Sequence, residues 1–262
     1  ESNRLDQAQA LFEDALARLE RAGNRSHPLH ASVLNDLGVM HLVAEDFESA
    51  RGYLERALAA TDPASEEYAR TVANLAQASR GVGDLDRAEP LYRQAQPILE
   101  RLYPDGGPHL AVLLNNRARL AWVQDRPAEA IELQQQSVAM HRRSFRGDHV
   151  MILVPVTNLA RMALDHGDVA LGSESAEQAV AMADRLYAQT PHPYQVNALV
   201  ALAEARMAQG RMVDALPLAS RLQSLLADIE SAPDSTRDAA QDVVERLCAA
   251  EPVPDGLDCS KT

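Results

Sequence analysis

The chain has 262 residues and a formal charge of −13 at pH 7, from 25 basic and 38 acidic side chains. Nucleic acids and anionic membrane surfaces require a basic face, so both are excluded as expected partners. Aromatic residues make up 4% against 46% hydrophobic in all, which argues against sandwiches and barrels built from aromatic and β-branched strands.

Helix-period spacing of apolar residues predicts twelve helices in chain order. The first spans about 3–22. Pairs follow at 29–43 and 46–60, 65–81 and 84–102, 108–123 and 127–143, 149–165 and 170–188, and 193–208 and 211–229. The last, 235–249, starts at Asp234-Ser235, a good N-cap after Pro233. The longest apolar run, Val150–Val156, contains Pro155 and falls far short of the ~20 residues that cross a bilayer. No basic segment followed by an apolar one opens the chain, so no signal peptide is expected. Residue 1 is Glu, which reads as a processed chain or a fragment.

Small residues recur on a ruler. Ala8, Ala50, Ala88, Ala130, Gly172 and Ala215 are 42, 38, 42, 42 and 43 residues apart. Seven residues after each stand Ala15, Ala57, Ala95, Ser137, Ala179 and Leu222. Twelve before each, from the second on, stand Gly38, Ala76, Ala118, Ala160 and Ala203. Five before stand Glu45, Gly83, Asp125, Gly167 and Gly210. A period of this length marks stacked supersecondary units. Small side chains let paired helices approach closely, and the glycine row sits at the turn between them, where a positive φ is cheap only for glycine. Pro90 and Pro217 share one repeat position inside second helices, where each removes a helix hydrogen bond and is expected to bend the helix.

Gly83-Asp84-Leu85-Asp86-Arg87-Ala88-Glu89-Pro90-Leu91-Tyr92-Arg93-Gln94-Ala95 and Leu114-Leu-Asn-Asn-Arg-Ala118 resemble the second and first helices of the tetratricopeptide repeat (TPR), in the long form seen in kinesin light chains. His27-Pro28, Pro108-His109, Asp148-His149 and His192-Pro193 resemble the connectors of that form. The resemblance covers about residues 3–230. Glu45 and Asp125 depart from it at the turn glycine, Gln134 and Ser137 at packing positions, and Gly172 at an alanine. It implies an all-α, right-handed superhelical solenoid over 1–230, with a partial first repeat and five helix pairs. Residues 231–262 are then a capping helix and tail.

Little in the sequence points to catalysis. The histidines match no His-Glu-x-x-His pattern, the serines no nucleophile elbow, and Gly106-Gly107 follows no strand. Asp165-His166-Gly167-Asp168 falls on a repeat turn, where Asp and Gly serve as caps. No enzyme activity, cofactor or metal is expected. Cys248 and Cys259 are the two cysteines. They read either as a disulfide that pins the tail and implies an oxidising, periplasmic or extracytoplasmic compartment, or as two thiols in a cytoplasmic protein. The first helix places Leu5, Ala8, Phe12 and Ala15 on one face with no upstream partner in this sequence, so a cut surface able to form a homodimer is expected.

The resemblance further implies a non-catalytic scaffold that binds a protein or an extended peptide in a concave groove. Similar repeats follow a membrane span in some bacterial serine/threonine kinases. That context implies an interaction or sensor region of a larger signalling protein, and a cytoplasmic peptide-responsive regulator or adaptor is the alternative. The groove positions fall on Asn35, Asn74, Asn115, Asn116 and Asn158, on Gln77, Arg119 and Arg161, and on Arg70, Arg80, Trp122 and Asn197. An amide side chain both donates and accepts, so it suits a peptide backbone of any sequence. Arginines suit carboxylates, which makes the expected ligand acidic. The competing reading is that these asparagines knit neighbouring repeats together.

Overall fold

A computed structural model describes residues 2–25, 27–229 and 232–249. Twelve helices and no strand occur among the described residues: α1(Ser2–Arg21), α2(Pro28–Val43), α3(Phe47–Leu58), α4(Glu66–Gly81), α5(Leu85–Leu102), α6(Pro108–Val123), α7(Pro127–Ser144), α8(Val150–Asp165), α9(Val169–Leu186), α10(Pro193–Ala208), α11(Met212–Asp228) and α12(Asp234–Cys248). Each lies within about two residues of its expected span. None of the described helices is long and apolar enough to cross a membrane. Pro90 and Pro217 lie inside α5 and α11, which continue through them.

Contacts divide the chain into two compact units, 1–126 and 127–262. In the first, α2 pairs with α3 and α4 with α5, while α2, α4 and α6 stand side by side as a row of first helices. In the second, α8 pairs with α9 and α10 with α11, and α8, α10 and α12 form the corresponding row. The proposed cap, α12, packs on α10 and α11 through Ala240, Val243, Val244 and Leu247. Cys248 closes that helix against the same cluster, and Cys259 lies outside the described residues.

The small-residue ruler coincides with the tightest packing. Ala50, Ala57, Ala76, Ala88, Ala95, Ala118, Ala130, Ser137, Ala160, Ala179, Ala203 and Ala215 are all fully buried. The turn positions also share one geometry. Gly83, Gly167 and Gly210 have φ of 84°, 90° and 71°, and Glu45 and Asp125 adopt 58° and 56°. The two residues that depart from glycine thus keep its backbone, at the cost of crowding their Cβ atoms.

Helix starts explain the histidine connectors. The Nδ1 atoms of His27, His149 and His192 accept the backbone N–H of Leu29, Met151 and Tyr194 at 3.1, 3.1 and 3.2 Å. Asp46, Asp84 and Asp168 cap the following second helices, accepting from Ser49, Arg87 and Leu171. At the N-terminal end, Phe12 was expected on an open face. It packs against the cluster of Leu16, Val33, Leu34, Leu37 and Ala57, while Leu11, also on α1, is exposed.

Two outcomes follow. Glu45→Gly should raise the unfolding free energy by about 1 kcal/mol, and Asp125→Gly by less, because Asp tolerates the left-handed region better; denaturant midpoints at unchanged slope measure both. His141 is 1% exposed, and burial, then the charge of His149, lower its pKa to about 4. The unfolded chain holds this proton from about pH 6.5 downward, so the stabilisation is complete above that pH. It drains away as the pH falls toward 4, by roughly 2–3 kcal/mol. His141→Leu should flatten that part of the stability–pH curve.

Candidate functional site

In the first unit, the predicted asparagines lie along the row of first helices. Asn35 is 3% exposed, and its Oδ1 accepts from Thr71 Oγ1 at 3.3 Å and Asn74 Nδ2 at 3.1 Å. Asn116, 4% exposed, donates to Gln77 Oε1 at 3.2 Å and accepts from Asn115 at 3.4 Å. These bonds join α2 to α4 and α4 to α6. The amides expected to grip a ligand here are engaged in holding adjacent repeats together. Asn35 and Asn116 are buried; Asn74, Gln77 and Asn115 remain half-buried.

The arginines of this unit behave differently. Arg80 on α4 and Arg119 on α6 have no carboxylate within ion-pair distance among the described residues, although Glu45 acts on Arg119 from further off. Partial burial and the charge of Arg80 hold the Arg119 guanidinium below its usual range, against the pull of Tyr92 and Glu45. Beneath them Tyr92, from α5, is 1% exposed, and its hydroxyl and the Arg80 Nε are buried without a hydrogen-bond partner. Burial pushes the Tyr92 phenol far above its ordinary range, while Arg80 and Arg119 pull it down.

Arg70 belongs to another cluster. Glu66 accepts from the Tyr103 hydroxyl and lies 3.0 Å from His109 Nε2. Burial and then the Arg70 charge depress the His109 imidazole, and Glu66 opposes them. Trp122 is half-buried near the end of α6.

In the second unit, Asn158, Arg161 and Asn197 come together around one cavity of about 70 Å³ between α8 and α10. Leu153, Val154, Thr157 and Tyr194 supply the rest of its lining. The Asn197 amide makes no side-chain hydrogen bond, and Arg161 has no ion pair within 4 Å, among the described residues. Glu204, one helical face along α10, is half-buried and its carboxyl is raised by burial, with Arg161 opposing and Asp165 adding to the shift.

Sequence reasoning missed Tyr92, Tyr194 and Glu204. Tyr92 and Tyr194 look like ordinary core or loop aromatics in sequence. Their positions follow only from how second helices and connectors pack under the first-helix row. One consequence is measurable: Asn35→Ala strands Thr71 and Asn74 and should cost about 1–3 kcal/mol, whereas half-buried Asn74→Ala should cost less. Urea unfolding of both variants tests this.

Tetratricopeptide-repeat profiles match residues 1–62, 110–150 and 159–235. No curated protein matches the chain in sequence. Among solved structures, the chain is similar to BtubC (BKLC) from P. vanneervenii, with a TM-score of 0.72 and 18% identity over 88% of this chain and 94% of that one. It is also similar to a Podosopora anserina protein assigned as a kinesin light chain with nearly identical TPR-like repeats, with a TM-score of 0.63 and 23% identity over 79% and 99% of the two chains. A third is a Rap protein complexed with competence and sporulation factor, with a TM-score of 0.66 and 12% identity over 94% and 70%.

Proposed function

Because the chain belongs to the tetratricopeptide-repeat family, with matches that together span most of its length, we propose that it is a non-catalytic scaffold binding an extended peptide along its first-helix rows. The observation that carries this is the α8–α10 cavity. Three residues singled out from the sequence line it, and the Asn197 amide there has both a donor and an acceptor to offer. The similar Rap protein, solved in complex with competence and sporulation factor, supports a binding role.

The ligand is acidic in part. Arg80 and Arg119 form a like-charged pair without a matching carboxylate within ion-pair distance, over a buried hydroxyl that lacks a partner. A carboxylate between them would relieve the repulsion and accept charge-assisted bonds. The chain then serves as the interaction or sensor part of a signalling protein, and neither reading requires a cofactor.

The test is selection of a phage-displayed random 12-mer library on the whole chain, followed by fluorescence polarisation with the enriched peptides. Asn197→Ala should weaken binding about three- to tenfold, the worth of one hydrogen bond. Arg119→Ala should weaken acid-containing peptides most and reduce their sensitivity to salt. If no peptide enriches, the scaffold does not read linear peptides.

A further inference from the structure

The cavity between α8 and α10 has a composition that selects one kind of side chain. Leu153, Thr157 and Arg161 lie at intervals of four on α8, so they share one face, and Val154 and Asn158 form the adjacent stripe. Leu153 is 1% exposed and Thr157 7%. The Thr157 hydroxyl donates to the Leu153 carbonyl of its own helix at 2.9 Å, so its hydrogen is already engaged.

The opposite wall is Tyr194, at the start of α10. It does not hang free. Its ring packs against His192 at 4.7 Å, which stacks on Tyr187 at 4.3 Å, and Tyr187 itself lies 6.3 Å from Tyr194. His192 is held in turn, because its Nδ1 accepts the Tyr194 backbone N–H. Three rings and a helix cap therefore set the wall before any ligand arrives, and such preorganisation removes part of the ordering cost of binding.

Leu153, Val154 and Tyr194 make the apolar part of the lining, and Thr157, Asn158, Asn197 and Arg161 its polar part. The volume of about 70 Å³ is roughly half the ~150 Å³ cavity that accepts benzene. A space of that size seats a branched aliphatic group more fully than a phenyl or indole ring.

We infer that this cavity is a specificity pocket for a single Val, Leu or Ile side chain of the bound peptide, whose backbone runs past Asn197. The inference rests on the peptide-binding reading above. It adds which side chain is chosen and where. Two neighbouring residues set the size limit: Val154, half-buried at the edge, and Tyr194.

The experiment extends the phage selection. Enriched 12-mers should share one position confined to Val, Leu and Ile, and replacing that residue with Ala or Phe should weaken binding at least tenfold. Val154→Phe, which fills the cavity from a half-exposed site, should abolish binding of the same peptides. Tyr194→Ala, which opens the wall, should shift the enriched position toward Phe and Met. Circular dichroism melts of both variants establish that they are folded, and the preference of the unaltered chain provides a readout independent of either. Peptides that bind in an Asn197-dependent manner but show no aliphatic position, or that bind Val154→Phe as tightly as the unaltered chain, overturn the pocket and leave the scaffold reading standing. Failure to enrich any peptide overturns both.

Discussion

Close approach of paired helices is the constraint on which everything else here rests. At most ruler positions a single methyl group is fully buried where the helices meet. Where even that is too much, glycine appears: a Cβ on Gly38 would lie 2.6 Å from Leu54 Cγ, and one on Gly172 would lie 2.5 Å from Leu164 Cγ and 3.1 Å from the Ala160 carbonyl oxygen. Gly172 departs from the alanine pattern for this reason. Because each repeat is held at short range to the next, polar side chains on adjacent first helices fall within hydrogen-bond reach. The Asn35–Thr71–Asn74 and Asn116–Gln77 bonds depend on that spacing.

A second set of bonds links side chains of successive helix pairs. Arg56 reaches Glu20 at 2.7 Å, Arg87 reaches Glu55 at 2.6 Å and Arg126 reaches Glu89 at 2.7 Å. In the second unit, Arg206 pairs with Glu177 at 2.7 Å and Arg221 with Asp184. Partners lie 29–37 residues apart, about one repeat. Most of these pairs are solvent-exposed, so each contributes at most about 1 kcal/mol. Their value lies in repetition and in register. Five arginines of this acidic chain are committed to that ladder, whereas Arg80, Arg119 and Arg161 stand on first helices outside it.

The two units use the same repeat positions for different ends. In the first unit, asparagines at those positions are consumed by bonds to neighbouring repeats, and Arg80 and Arg119 lie next to the buried Tyr92. In the second, the corresponding positions open onto a cavity whose aromatic wall is fixed by the His192 connector. A helix cap thereby becomes part of the cavity's support.

Twelve helices, their order and nearly all their limits were legible from periodicity and from the ruler, because helix pairing depends on local spacing and on small residues whose purpose is visible in one dimension. The turns at Glu45 and Asp125 were legible too, from their place in the glycine row, whereas their positive φ is seen only in the structure. The candidate groove residues were legible only as a list of positions. Whether Asn35 faces a ligand or Asn74, and whether Asn197 has a partner, depends on neighbours 36 to 39 residues away. Those distances are decided by packing of α2 on α4 and α8 on α10, not by any local propensity. The same holds for Tyr92 and Tyr194, whose chemistry comes from burial and from rings brought alongside by the fold. Sequence alone determined the repeat, since periodic burial writes itself into composition at every turn. Tertiary structure decided which polar groups were spent on joining repeats and which were left open, because a hydrogen bond between side chains on different helices exists only once those helices lie within reach.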